Sequence, residues 1–181
     1  MSLEIVVGPM FSGKSTYAIT YARRMRSIGK QVLIVKPNID TRYSNQSVLI
    51  THDKQEIPCL MWDVDTPLAP FGEIYLNVDC IVFEEAQFFK NLERTVITIL
   101  NTHKKHILIV GLDGDASQKP FGEILQCIPW ASKVSKRNAL CSICRDGTIA
   151  PYTKRKNPEN EIGQVCVGGA DIYDAVCLNH L

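Results

Sequence analysis

Short apolar runs alternate along the chain with longer stretches in which apolar residues recur every three or four positions, the pattern of a parallel α/β architecture. Residues 3–7 predict a first buried strand. Across 15–28, Ala18, Tyr21, Ala22, Met25 and Ile28 fall at helical spacing, and Gly29 stands where a C-cap belongs. Residues 32–35 predict a second strand, stopped at Pro37 because a proline cannot donate to a sheet and its predecessor avoids helix. Residues 78–83 predict a third strand. From Asn91, Leu92, Val96, Ile99 and Leu100 share a helical face, and Lys104 and Lys105 suit the negative end of the helix dipole. A fourth strand, 107–110, opens into "GLDGDASQKPFG".

After residue 136 the pattern fades. Cys, Gly, Pro and charged residues dominate, no further helix of length is expected, and a boundary near Arg137 divides the chain into 1–136 and 137–181. Within the second part, "TKRKNPENE" (153–161) reads as an exposed polar loop that becomes ordered when something binds it. A length of 181 residues suits one sizeable core with a small appendage.

Composition narrows the function classes. Lys and Arg number 20 against 19 Asp and Glu, a net charge of +1, so neither disorder nor a general nucleic-acid coat is indicated and any phosphate binding must be local. No apolar run approaches the roughly 18 residues of a membrane span, which predicts a soluble intracellular protein. Seven cysteines without a tight framework of pairs fit a reducing, cytoplasmic compartment, with thiols free or bound to metal.

Residues 8–15, "GPMFSGKS", fit G-x-x-x-x-G-K-[ST] at every position and lie between a predicted strand and a predicted helix. Backbone amides of Gly8, Pro9, Met10, Phe11, Ser12 and Gly13 would curl around phosphates, proline adding its fixed φ but no donor, while Lys14 supplies charge and Ser15 a hydroxyl ligand for Mg²⁺. A nucleoside triphosphate is the implied ligand. Such sites also need a carboxylate at the end of a neighbouring buried strand, and Glu84 and Glu85, in "VFEEAQFF", are the acidic pair so placed. Neighbouring side chains on a strand point to opposite faces, so the two should divide their tasks.

"CSIC" at 141–144 and "CLNH" at 177–180 offer Cys141, Cys144, Cys177 and His180, three thiolates and an imidazole for a tetrahedral zinc. Four protein ligands leave no open position, hence a structural ion. His103 and His106 have no cysteine partner nearby and read as surface residues; His52 and Cys80 read as local packing.

With "GPMFSGKST", "DTRY" (40–43), "THD" (51–53), "EEAQFF", "LDGDASQKPFG", "YTKR" (152–155) and "VGGADIY" (167–173) in this order, the sequence resembles the zinc-containing thymidine kinase family, the type found in animal cytosol, many bacteria and large DNA viruses. The resemblance covers nearly the whole chain. It implies a P-loop, RecA-like parallel sheet flanked by helices, a small zinc subdomain bearing a "lasso" loop over the nucleoside, and a homotetramer. It implies transfer of the ATP γ-phosphate to the 5′-hydroxyl of deoxythymidine, with Glu85 as general base and Glu84 holding Mg²⁺ through water. Glu84 stands where the family usually has aspartate, and Ala86 where it has glycine. Asp53 and Gln87 are implied near ATP. Gln164, Val165, Cys166, Val167, Gly168 and Tyr173 are implied around the base, with Thr153 beside the pyrimidine and Phe88 and Phe121 lining the pocket. Ala116 stands where the family usually has an aromatic residue, and a missing ring costs about 1 kcal/mol of contact. The expected ligands are ATP, Mg²⁺, structural Zn²⁺, deoxythymidine and feedback dTTP, with no membrane or nucleic-acid partner; an arginine aiding the transfer is expected but not identified.

Two rivals remain. A nucleoside monophosphate kinase with a zinc lid needs an arginine-rich acceptor pocket, whereas Arg23, Arg24 and Arg26 fall on one helix. A zinc-knuckle nucleic-acid ATPase needs a basic stripe that the near-neutral chain lacks.

Overall fold

In β1 (Ser2–Val7), Leu3, Ile5 and Val7 pack into one core and Val6 into another, so this strand has to lie inside a sheet covered on both faces. The computed structural model describes residues 1–39, 47–50, 55–69, 72–157, 163–166 and 168–181. Chain order runs from β1 to α1 (Lys14–Ser27), β2 (Val32–Pro37), β3 (Val48–Ile50), β4 (Glu56–Pro58), β5 (Leu60–Trp62) and β6 (Cys80–Phe83). It continues through α2 (Leu92–Thr98), β7 (His106–Gly111), β8 (Lys133–Lys136), β9 (Ala139–Leu140), β10 (Ile149–Ala150), β11 (Tyr152–Arg155) and β12 (Tyr173–Val176). The six-stranded sheet has the order β5-β2-β6-β7-β1-β8, and each of its pairings is parallel.

Helix α1 covers one face with Ala18, Ile19 and Ala22 against Val6, Ile34, Val82, Leu108 and Val110. Helix α2 and its extension cover the other with Leu92, Val96, Ile99 and Leu100 against Leu3, Ile5, Ile81, Phe83 and Ile109. α1 closes as expected at Gly29. Gly29 N–H donates to Arg26 O at 3.0 Å and Lys30 N–H to Met25 O at 3.1 Å, the paired bonds of a Schellman motif. Ile28, assigned by spacing to the buried face, is 69% exposed because it is the C-cap, where the helical direction has already ended.

The second helix departs from expectation: α2 is seven residues long and continues as a π-helical turn over Ile99–His103, where the consecutive Ile99 and Leu100 are both buried. β5 and β8 were not legible in the sequence. The third strand begins at Cys80 rather than Val78, because the N–H groups of Asp79 and Cys80 both converge on Gln31 O at 2.9 and 3.1 Å.

Beyond β8 the chain leaves the main sheet. Two antiparallel pairs, β9 with β10 and β11 with β12, enclose a separate small core of Ala139, Cys141, Ala150, Ala175, Val176 and Cys177. No helix among the described residues is long and apolar enough to cross a membrane.

Candidate active site

The parallel ladder brings the carboxyl ends of β1, β6 and β7 side by side, the edge at which open α/β sheets bind ligands. From β1 the chain turns through residues 8–13. Gly8 has φ 148°, and a Cβ there would lie 2.1 Å from Arg137 O; Gly13 has φ 74° at the N-cap of α1. Both positions require glycine. Ser12 Oγ donates to Pro9 O at 2.8 Å, and Lys14 Nζ donates to the same carbonyl at 2.6 Å, so the ammonium is folded over the turn. No side chain hydrogen-bonds to cap α1 and its first turn carries no acid, which leaves amides and a positive dipole end directed at the turn.

Glu84 and Glu85 follow β6. Glu84 N–H donates to Val35 O at 2.9 Å, extending the β2–β6 ladder by one residue. The Glu84 side chain, 1% exposed, lies on the α1 face, where its Oε1 accepts the Ser15 hydroxyl. These two oxygen donors converge at the start of α1, the chemistry a hard divalent cation requires. Glu85 then adopts φ 49° and ψ 45°, a left-handed conformation that turns its carboxylate away from Glu84. Its Oε2 accepts Gln87 Nε2 at 2.6 Å, and Gln87 Oε1 accepts Leu112 N–H at 3.0 Å.

Glu85 and Gln87 are walls of a cavity of about 490 Å³, including its open mouth, also lined by Phe88, Phe121, Thr153 and Tyr173. The rings of Phe88 and Phe121 meet edge to face with centroids 5.4 Å apart. Thr153 Oγ1 accepts Met10 N–H at 2.9 Å, joining β11 to the 8–13 turn. Across the mouth, Gln164 Nε2 donates to Asp115 Oδ2 at 2.7 Å, and the Tyr173 hydroxyl donates to Cys166 O at 2.7 Å. Burial works to raise the Asp115 carboxyl, but the Gln164 amide and the N–H groups of Lys119 and Ser117 hold it below its ordinary value. Burial raises the Tyr173 phenol.

The cavity thus gathers Met10, Glu85, Gln87, Phe88, Ala116, Phe121, Thr153, Gln164, Cys166, Gly168 and Tyr173 of the residues singled out by sequence. Gln87, expected near ATP, lies in this wall. Val165 does not join it: it is 45% exposed, while its neighbours Gln164 and Cys166 line the cavity. Asp53 and Val167 lie outside the described residues, as do all of "DTRY" and "THD" and part of "TKRKNPENE". Sequence reasoning missed Leu112, Asp115 and Arg137. Asp115 was signalled by its place in a Gly-Asp turn after a buried strand; Arg137 had no signal.

Cys141, Cys144, Cys177 and His180 converge, their ligand atoms all within 4.8 Å of one another. Cys144 Sγ lies 3.8 Å from Cys177 Sγ, and His180 Nδ1 lies 3.4 and 3.3 Å from those two sulfurs. Bonds of about 2.3 Å to sulfur and 2.0 Å to nitrogen in a tetrahedron require nearly these separations, so the residues fit zinc. An N–H from Cys144 is the chief cause that lowers the Cys141 thiol to about 6, whereas burial, then the neighbouring thiols, raise Cys144 to about 11. A cation is what would hold all three as thiolates together. His106 instead pairs its Nδ1 with Ser2 Oγ at 2.9 Å, and His103 faces the Tyr75 ring at 6.3 Å.

Known proteins were compared with the chain. The sequence model of the family described as Thymidine kinase matches residues 1–181. "Thymidine kinase a" of Arabidopsis thaliana is 37% identical over 181 residues, covering 99% of this chain and 74% of the relative. "Thymidine kinase, cytosolic" of Homo sapiens is 37% identical over 180 residues, covering 97% and 70%. "Thymidine kinase" of Choristoneura fumiferana entomopoxvirus is 32% identical over 179 residues, covering 98% and 94%.

Proposed function

Since the chain belongs to the thymidine kinase family and is an ATP-dependent nucleoside kinase, we propose that it transfers the ATP γ-phosphate to the 5′-hydroxyl of deoxythymidine through the site at the carboxyl edge of the sheet. In this reading residues 8–15 form a P-loop on a RecA-like sheet, and Lys14 swings from Pro9 O to the phosphates. Ser15 and Glu84 would hold Mg²⁺, which when bound neutralises charge between the β- and γ-phosphates. Glu85 accepts the proton of the 5′-hydroxyl. Its bond to Gln87 orients the carboxylate at the wall of the cavity in which the nucleoside would lie.

Phe88, Phe121 and Tyr173 supply the apolar walls for the base, and 164–168 close over it as the lasso. Cys141, Cys144, Cys177 and His180 would hold structural zinc, clamping the base of a substrate subdomain, 137–181, against an ATP-binding domain, 1–136. Asp53 belongs to the ATP side of this proposal, and Val167 to the lasso. Feedback by dTTP, a tetrameric assembly and a cytosolic location complete the proposal, supported by the family and by the printed name of the human relative.

The observation that carries this reading is the junction of the 8–15 turn with a cavity whose wall presents Glu85 and, among the described residues, neither lysine nor arginine. A nucleoside fits such a wall; an acceptor already bearing a phosphate does not. The test is product analysis with Mg–ATP and equal concentrations of thymidine, deoxycytidine and dTMP. Thymidine should be converted to dTMP at least about tenfold faster than the others react; preferential phosphorylation of dTMP would overturn the reading.

A further inference from the structure

Arg137 holds the end of β1 and the 8–13 turn at three points. Its N–H donates to Val7 O at 2.8 Å, its carbonyl occupies the space a Gly8 side chain would need, and its Nε donates to Ser12 O at 3.1 Å. The guanidinium is itself located from behind. It lies 5.5 Å from the centre of the Tyr17 ring, whose hydroxyl donates to Glu4 at 2.6 Å, and Glu4 also accepts Lys133 at 2.6 Å. Arg137 is otherwise exposed, and among the described residues its side chain belongs neither to the nucleoside-type cavity nor to the small core.

We propose that Arg137 is a positioning residue for the nucleotide, acting through the Ser12–Gly13 peptide. In a trans peptide the carbonyl and the N–H point in opposite directions. Drawing Ser12 O outward onto the guanidinium turns Gly13 N–H inward, toward the space enclosed by the turn and the start of α1. The same cation adds positive potential beside a site for polyphosphate. Arg137 therefore acts on the polyphosphate, and the nucleoside cavity, which it does not line, is indifferent to it.

This role presupposes that residues 8–15 hold the phosphates, and the experiment separates the two. Mg–ADP is titrated calorimetrically into the wild type, Lys14→Ala, Arg137→Ala and Arg137→Lys, and KM for ATP and for thymidine is measured on each. Arg137→Ala should weaken ADP binding and raise KM for ATP by about tenfold, the loss typical of one charge-assisted hydrogen bond. KM for thymidine should stay within about twofold, and Arg137→Lys should recover part of the loss by keeping a charged donor. ADP affinity in Arg137→Ala within twofold of wild type, beside a large loss in Lys14→Ala, overturns the role of Arg137 alone. Equal rises in both KM values with a lowered melting temperature also overturn it, since they mark a general structural effect. Unchanged ADP binding in Lys14→Ala instead overturns the phosphate-loop reading on which it stands.

Discussion

Glu85→Gln replaces the carboxylate of the proposed base by a neutral amide of nearly the same size and shape. Glu85 is 8% exposed, and its Oε2 accepts Gln87 Nε2 at 2.6 Å. A glutamine can present its carbonyl oxygen to the same donor, so the pair survives as a neutral hydrogen bond and stability should fall by only about 1 kcal/mol. In a protein of this size that moves the melting temperature by roughly 2–4 °C. The backbone at φ 49° and ψ 45° is no worse for glutamine than for glutamate. If Glu85 is the base, as proposed, the proton of the 5′-hydroxyl loses its acceptor. General-base catalysis is worth about 10²–10⁴-fold, or roughly 2.7–5.4 kcal/mol of transition-state stabilisation. Steady-state turnover at saturating Mg–ATP and thymidine, with thymidine affinity measured separately, tests this. The expected result is a kcat at least about 100-fold lower, with thymidine binding within about threefold of wild type. A kcat within tenfold of wild type would refute the assignment of Glu85 as base.

Glu84→Asp should retain activity with a raised Mg²⁺ requirement, while Glu84→Gln should lose most activity at any Mg²⁺ concentration; identical Mg²⁺ dependence in the two variants means that Glu84 does not serve the ion. Asp115→Ala breaks the Gln164 contact at 2.7 Å and should raise KM for thymidine about threefold to tenfold with kcat nearly kept. The depressed Asp115 carboxyl is charged above its unfolded value of 3.8, so the contact persists to that pH and is lost as pH falls through the lower folded value; nucleoside affinity attributable to it should be flat above about pH 5. Chelation of zinc should lower the melting temperature by about 5 °C or more and weaken thymidine binding before ADP binding, as followed by scanning calorimetry and titration. Gly111→Ala places a Cβ 2.4 Å from Gln87 Oε1 and 2.5 Å from Ile124 Cδ1, and should destabilise the protein by about 1–3 kcal/mol in urea.

Elements built from side-chain periodicity were readable in the sequence. Ala18 and Ala22 mark α1 because its apolar stripe is buried against Val6 and Val82, and Ile107 and Ile109 mark β7 because both faces of that strand are covered. The Cys-x-x-Cys and Cys-x-x-His spacings placed four ligands within reach because each tight turn is local. β8, "KVSK", was not readable: it is an edge strand with Lys133, Val134 and Lys136 exposed, paired on one side only, with β1. Arg137 was hidden for the same reason, since two of its three holds on β1 and the turn are made by backbone atoms that any residue possesses. The place of Gln87 in the cavity wall was not readable because it depends on a 3-10 turn and on a bond to Leu112 N–H after β7, neither of which has a side-chain period.

The two adjacent glutamates diverge for a reason other than simple alternation. Val82 faces the α1 core and Phe83 the α2 core, so Glu84, next along the ladder, takes the α1 face and reaches Ser15. Continued extension would place Glu85 on the face of Phe83, among Leu92, Val96 and Phe89, where an ionised carboxylate would face a desolvation penalty of several kcal/mol. The left-handed backbone at Glu85 costs about 1 kcal/mol and directs the carboxylate past that core into the cavity, where Gln87 receives it. Of the two, the smaller cost is the one the chain adopts. The left-handed residue thus sits where the chain presents Glu84 to Ser15 and Glu85 to the cavity.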